Sequence, residues 1–265
     1  MCGIAGFSNF KINYKEDSSR WYQLLERMNH RQKHRGPDAD GVFLDRFCGL
    51  AHVRLSILDL AGGSQPMTRQ LGNHRVTIAY NGEIYNMPTL RRELSREGIE
   101  FQTSSDTEVI LQSYLLWGID FVKRLNGIFA FALWDEYLQK LLLFRDALGV
   151  KPLFYTFLNG TLIFSSEIKG ILTYPDFRPV IDREGLCEIL GLGPAKTYGK
   201  GVLKGIDELL PGHYLEFDGS SIHTFPFCTL ESHPHEESWE ETVDHTRFLI
   251  TDAIRMQMLS DVPVC

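Results

Sequence analysis

Short apolar blocks, closed by glycine or polar residues, alternate along the chain with stretches whose apolar side chains recur every three or four positions. The blocks predict strands: CGIAGFSNF at the start, VTIAY (Val76–Tyr80), GIFAFALWD (Gly127–Asp135), KLLLF (Lys140–Phe144), PLFYTF and TLIFSSE. CGLAHVRLSILDL (Cys48–Leu60) predicts a strand pair or a strand and loop, and HRGPDADGVF is turn chemistry leading into a strand. The VTIAY strand is expected to stop at Asn81-Gly82, a dipeptide that favours turns. Spacing of Trp21, Leu24, Leu25 and Met28 predicts a helix over Trp21–Arg31; further helices are expected over Met87–Glu97 and DREGLCEIL. In SSDTEVILQSYLLW, Ser104 or Ser105 can cap a helix whose first turn carries Asp106 and Glu108, acids suited to its positive end.

The pattern changes near TLESHPHEESWEE (Thr229–Glu241), which reads as a polar linker. Beyond it Trp239, Val243, Ile250, Ile254 and Met258 share one helical stripe, and the last residues, DVPVC, read as a strand just starting. A strand does not end a stable unit, so the chain is expected to stop inside a second domain.

Composition narrows the class without naming a function. Of the 265 residues 43% are apolar and 23% charged, as in an ordinary globular protein, and a net charge of −7 argues against a polyanionic partner. No apolar run approaches the ~18–20 residues of a membrane-spanning helix, and no export signal is visible. The five cysteines, Cys2, Cys48, Cys187, Cys228 and Cys265, are odd in number and lack C-x-x-C spacing. That argues against a disulfide framework and a zinc site, and makes the reducing cytoplasm the default location.

Cys2 raises the chemical question. It could be a thiol buried in a first strand, a lipid-attachment site, or a nucleophile that needs the end of the chain. Lipidation has no second anchoring signal beside it. No histidine lies near Cys2 in sequence, but removal of Met1 would supply a base in the α-amine of Cys2 itself. With a pKa near 7.7–8.0, roughly a tenth of that amine is neutral at pH 7, enough to accept a thiol proton. Position alone favours the buried strand thiol over the nucleophile.

The segments MCGIAG, HRGPDADG, AHVRLSILDLAGGSQPM, YNGEIYN, SDTEV, LNGIFAFALWD, RDALGVKPLFY and FSSEIKGIL follow one another in this order. Together they resemble the glutaminase domain of class II, N-terminal-nucleophile (Ntn) glutamine amidotransferases, specifically that of glutamine-hydrolysing asparagine synthetases of the B type. LLPGHY (Leu209–Tyr214) and SDVPV (Ser260–Val264) resemble the same family, with Cys265 standing where it often has glycine.

The resemblance implies an α+β fold, a four-layer α/β/β/α Ntn-hydrolase sandwich of two antiparallel sheets, followed by the start of an α/β synthetase domain. The expected organisation is a glutaminase domain over residues 2–210, connecting strands and linker over 211–236, and the first helix and strand start of an ATP-dependent synthetase domain over 237–265. It implies that Cys2 attacks the side-chain amide of glutamine, giving a thioester and ammonia, with the oxyanion held by the Asn81 side chain and the Gly82 backbone N–H. Arg54 matches the arginine that takes the substrate carboxylate, Asp106 the acid that takes its ammonium, and Glu83 lies in the same glutamine-binding stretch. Leu55, Ser56, Ile57 and Leu58 match the segment lining the site. ATP and Mg²⁺ are expected in the synthetase domain and no cofactor in this part. Expected partners are L-glutamine, with aspartate and ATP for the longer protein, and a second copy of the chain in a homodimer; nucleic acid and membrane are not expected.

Other readings stand beside this one. A relative could amidate another carboxylate, or cyclise one as β-lactam synthetases do, although those lose the nucleophile that Cys2 retains. A catalytically silent binding or regulatory module would keep the fold alone. Several features take structural readings: a turn for Arg145, Asp146, Lys151 and Pro152, a packed strand histidine for His52, an exposed linker for His233 and His235, and small buried hydrophobes for Cys48, Cys187 and Cys228.

Overall fold

The computed structural model describes residues 1–60, 62–193, 196–258 and 261–262. In chain order the elements are β1 (Gly3–Ser8), α1 (Ser18–Gln32), β2 (Ala39–Leu44), β3 (Cys48–Arg54), β4 (Met67–Leu71), β5 (His74–Ile84), α2 (Met87–Arg96), α3 (Asp106–Trp117), β6 (Gly127–Asp135) and β7 (Lys140–Arg145). There follow β8 (Phe154–Leu158), β9 (Thr161–Ser165), α4 (Ile168–Ile171), α5 (Arg183–Gly191), β10 (Asp207–Glu208), β11 (His213–Phe217), β12 (Ile222–Pro226) and α6 (Trp239–Gln257). Two six-stranded antiparallel sheets result, ordered β10-β8-β9-β1-β3-β2 and β12-β11-β7-β6-β5-β4.

Three apolar clusters fill the gaps between layers, which makes four layers. Trp21, Leu24, Leu25 and Met28 of α1 pack on Ala5, Phe7, Ala51 and Ile163 of the first sheet. Ile4, Leu50 and Phe164 of that sheet meet Ala79, Ala130, Ala132 and Trp134 of the second. Ile78, Tyr80, Phe129 and Phe131 then pack on Leu90 and Leu94 of α2 and Val109, Ile110 and Tyr114 of α3. The run FAFALW therefore serves both faces in turn, Phe129, Phe131 and Leu133 toward the helices and Ala130, Ala132 and Trp134 toward the other sheet. This is the expected α/β/β/α sandwich.

Most expected elements form, with revealing exceptions. The strand containing VTIAY does not stop at Asn81-Gly82: β5 continues to Ile84, with Gly82 opposite Phe129. Glycine is needed there for close approach, because a Cβ would collide with the Ile128 carbonyl. The connecting strands expected after residue 210 are β11 and β12, which join the second sheet, where β11 pairs with β7. Of the cysteines, Cys48 is buried, but Cys187 and Cys228 are exposed, since α5 buries only Gly185 and Cys228 follows an edge strand. The expected stripe lies on α6, which Ser238 and Glu241 start with a reciprocal capping box; Trp239, Ile250, Ile254 and Met258 are exposed. The strand start expected over DVPVC lies outside the described residues from Pro263 onward, as do Ser260 of SDVPV and Cys265.

β4, which has no clear apolar pattern, is anchored by charge. Arg69 donates to the fully buried Glu108 of α3 at 2.7 Å. Burial opposes ionisation of Glu108, but Arg69 and the amides of Gln102 and Thr103 outweigh it and hold the carboxyl below its ordinary value. Its stabilising contribution is therefore present above the unfolded carboxylate pKa and lost as the pH falls. Arg69→Ala strands this carboxylate and is expected to cost about 3–5 kcal/mol, measured as a lower urea midpoint at pH 7.

Candidate active site

The polypeptide enters β1 at the edge of a cleft of about 560 Å³, including its open mouth, between the ends of the two sheets. Alternation along the strands decides what faces it. Cys2 falls on the same side as Ile4, and Asn81 on the same side as Ala79, both toward the space between the sheets. The cleft is lined by Cys2, Arg54, Leu55, Ile57, Leu58, Asn81, Gly82, Glu83 and Asp106. Of the sequence-predicted site residues, only Ser56 is not brought to it. Its amide donates to Asp38 at 2.8 Å, which ties that part of the loop away from the cleft.

Cys2 is half-buried. Its sulfur accepts from the Leu55 amide at 3.4 Å and its thiol faces the Leu55 carbonyl at 3.6 Å. Burial pushes the thiol above its ordinary value, against the opposing pull of the Leu55 amide, the terminal ammonium and Arg54. A resting thiol here is protonated and needs a base. The terminal amine, on Met1 in this chain, is shifted the other way: burial lowers it, and against the nearby Cys2 the cations Arg35 and Lys151 lower it further. Met1 itself is exposed.

Across the cleft, β5 presents a row of donors. Asp146 occupies the amide and carbonyl of Phe129, so the Gly82–Phe129 pair is not hydrogen-bonded and the Gly82 amide points away from β6. On that open side the Tyr80 amide donates to Gln65 Oε1 at 2.7 Å and the Ile84 amide to Asp106 at 3.3 Å, and Gly82 lies between them. The Asn81 Nδ2 is buried without a hydrogen-bond partner, a state that costs free energy and marks a group kept for a ligand. Beneath it the fully buried His52 donates from Nε2 to the Tyr80 carbonyl at 2.9 Å, joining the sheets next to Asn81. Burial pushes His52 down to about 4, so it stays neutral, a packed strand histidine as expected.

The remaining wall carries opposite charges. Asp106 opens α3, which Ser105 caps by accepting from the Glu108 amide. Burial pushes the Asp106 carboxyl up to about 6, against hydrogen bonds from the Tyr80 hydroxyl at 2.8 Å and the Ile84 amide. Arg54, at the end of β3, donates to the carbonyls of Leu58, Asp59 and Leu60, so three of its five N–H groups shape the loop and two remain. That loop is also tied to the far end of the chain, the Asp59 amide donating to the Asp261 carboxylate and the Asp261 amide to the Ile57 carbonyl.

Sequence reasoning missed Gln65, Tyr80, Ser105, Thr107 and Lys151, which also line the cleft. Gln65 bridges β5 and α3 through Tyr80 and Thr107, a long-range task with no local signature. Lys151 carried a signal in the dense charge of RDALGVKP. Among the described residues no group of three or more His, Cys, Asp or Glu side chains is arranged to hold a metal ion, and no helix is long and apolar enough to cross a membrane.

Comparison with known proteins agrees with this geometry. The chain is 44% identical over 265 residues to glutamine-hydrolysing asparagine synthetase 3 of Bacillus subtilis (strain 168), a match covering 100% of this chain and 42% of that protein. It is 40% identical over 173 residues to glutamine-hydrolysing asparagine synthetase B of Escherichia coli (strain K12), covering 65% of this chain and 30% of that protein. The chain thus spans less than half the length of these relatives. Among solved structures, glutamine phosphoribosylpyrophosphate amidotransferase from B. subtilis superposes with a TM-score of 0.62 at 20% identity, over 86% of this chain and 50% of that one. At that identity the likeness shows the fold, the Ntn-hydrolase sandwich. The glutamine amidotransferase domain family matches residues 1–228, and the chain belongs to it.

Proposed function

We propose that this chain, once Met1 is removed, hydrolyses glutamine to glutamate and ammonia. In the longer protein that its relatives represent, we propose that the ammonia feeds ATP-dependent synthesis of asparagine from aspartate. ATP and Mg²⁺ belong in this reading to the synthetase part of that protein, and no step below involves them. The observation that carries the reading is the convergence, in one cleft, of Cys2, an unpartnered Asn81 amide, the outward Gly82 amide and one charged group for each end of a free amino acid.

The Cys2 thiol passes its proton to the adjacent α-amine, and its sulfur attacks the side-chain carbonyl carbon of glutamine. The developing oxyanion takes hydrogen bonds from Asn81 Nδ2 and the Gly82 amide. As the carbon–nitrogen bond breaks, the ammonium returns its proton to the leaving nitrogen, releasing ammonia and leaving a thioester. Water then attacks the thioester, passes a proton through the same amine, and frees glutamate and the thiol. Meanwhile the Arg54 guanidinium, through its charge and a spare N–H, holds the substrate carboxylate and Asp106 its ammonium, with Leu55, Ile57 and Leu58 against its stem.

The test is to incubate the purified chain with glutamine, assay glutamate, and take the intact mass. Glutamate release by material lacking Met1 is expected; no release, or full release with Met1 retained, overturns the proposal. The pH response of Asp106 supplies a second check. Its carboxyl, pushed up to about 6 by burial, must be ionised to pair with the substrate ammonium. The KM for glutamine should therefore rise as the pH falls through about 6, approaching tenfold per unit. A KM series from pH 5 to 8 reads this directly, and Asp106→Asn should give a high KM without that inflection.

A further inference from the structure

Lys151 sits in the cleft with no task assigned to it, and its surroundings are built. It is 6% exposed, and among the described residues its ammonium makes no hydrogen bond or ion pair. It lines the same cleft as Met1, Cys2, Asn81 and Glu83. The stem is buried while the ammonium opens on the cleft, so a cation with no partner of its own is presented to the reacting groups.

The turn before it fixes where Lys151 stands. The Asp146 carboxylate accepts from the amides of Phe129, Leu148, Val150 and Lys151, at 3.2, 3.1, 2.9 and 3.0 Å. Arg145 donates to the Lys151 carbonyl at 2.9 Å, to the Gly149 and Leu209 carbonyls, and pairs with Glu208 at 3.0 Å. Gly149, with φ +68°, takes a conformation that only glycine adopts without strain. The Lys151 backbone is thus held from both sides by two buried charged residues. The motif read from sequence as a structural turn is one, and it is a mount for this side chain.

Charged and titratable groups face Lys151 from every neighbouring element: the Met1 amine and Cys2 ahead of β1, Arg35 after α1, Glu83 of β5 and Asp146 after β7. Asp146 is saturated by backbone amides. Arg35 donates to the Cys2 carbonyl at 2.9 Å and to Glu167 at 3.0 Å. Glu83 makes no side-chain hydrogen bond among the described residues, so it is the free anion of the set, and Lys151 its free cation.

We propose that Lys151 is a positioning residue for the proton transfer, a fixed cation lining the cleft beside Cys2 that disfavours the protonated α-amine exposed there once Met1 is removed and favours the thiolate formed when that amine accepts the Cys2 proton. This rests on the glutaminase reading above. Lys151 gains and loses no proton: the proton moves from Cys2 Sγ to the α-nitrogen and on to the departing ammonia. A cation beside the amine opposes its protonation in the resting enzyme and sharpens it as an acid when the leaving nitrogen needs the proton back. Burial itself lowers the Lys151 pKa, and Glu83 acts against this to keep the cation charged.

The experiment compares the chain with Lys151→Met and Lys151→Arg in two readouts. In kcat–pH profiles at saturating glutamine, where bound substrate holds Asp106 ionised, Lys151→Met should move both limbs upward by about one unit. It should lower kcat at pH 7 by up to about tenfold and leave KM unchanged, with Lys151→Arg restoring most of the loss. The pH profile of iodoacetamide labelling, followed by mass on the Cys2 peptide, should shift upward in the same variant. This second readout needs no glutamine turnover, and removing an ammonium that makes no hydrogen bond or ion pair does not threaten folding. Unmoved profiles in an active enzyme, a defect confined to KM, or an arginine variant as impaired as the methionine one would overturn the proposal. A wild-type chain that releases no glutamate but shows the labelling shift would overturn the glutaminase reading and leave the electrostatic role of Lys151 standing.

Discussion

Cys2→Ala is expected to lose glutamate release entirely, by at least about 10⁴-fold in kcat, since removing a nucleophile eliminates the covalent route and leaves only binding and oxyanion stabilisation. The protein should remain folded, because Cys2 is half-buried, its sulfur makes only long contacts to Leu55, and the Arg35 bond to its carbonyl survives the substitution. Glutamine affinity, read by calorimetry on the variant, should persist, as Arg54 and Asp106 are untouched. Retained turnover would mean that another group performs the attack. Cys48 is fully buried and Cys187 and Cys228 lie on the exposed surface, so none of them is placed to substitute.

Asn81→Ala carries the second large effect. Loss of one oxyanion donor costs about 2.7–4 kcal/mol of barrier, or 10²–10³ in kcat, while KM should change by less than about twofold because the donor acts chiefly on the transition state. Stability gives the complementary signature. Nδ2 has no partner in the resting protein, so its removal relieves a buried unsatisfied amide instead of breaking a bond. An unchanged or higher urea midpoint together with a 10²-fold slower enzyme would identify a group held for catalysis. A fall in stability with activity preserved would reduce Asn81 to packing.

The limits of the sequence reading follow from the range of the interactions. Strands such as β6 and β7 were legible because their apolar character is local, and the cap at Ser105 because it lies within three residues of its partner. The end of β5 was misread for the opposite reason. Locally Asn-Gly is turn chemistry, but Gly82 answers to the carbonyl of Ile128, 46 residues away in sequence, against which no side chain fits. β4, short and polar, is held by Arg69 to Glu108 across the fold and leaves no periodic trace. The site was legible through ordered motifs whose family resemblance supplied the roles. What it could not supply was Lys151, whose surroundings exist only once Asp146 and Arg145 have folded the turn around it.

The space that holds the reacting groups is continuous with the interior, since Ile4 and Ala79 pack between the sheets one strand repeat from Cys2 and Asn81. On that side the pocket has no loop of its own to absorb change. Closely packed interiors transmit small displacements; one extra methyl at Ala79 or Ala130 would reach the sulfur and the amide as a shift in their separation. Drift at these quiet alanines would therefore surface first as slower turnover, before any sign of a weakened fold.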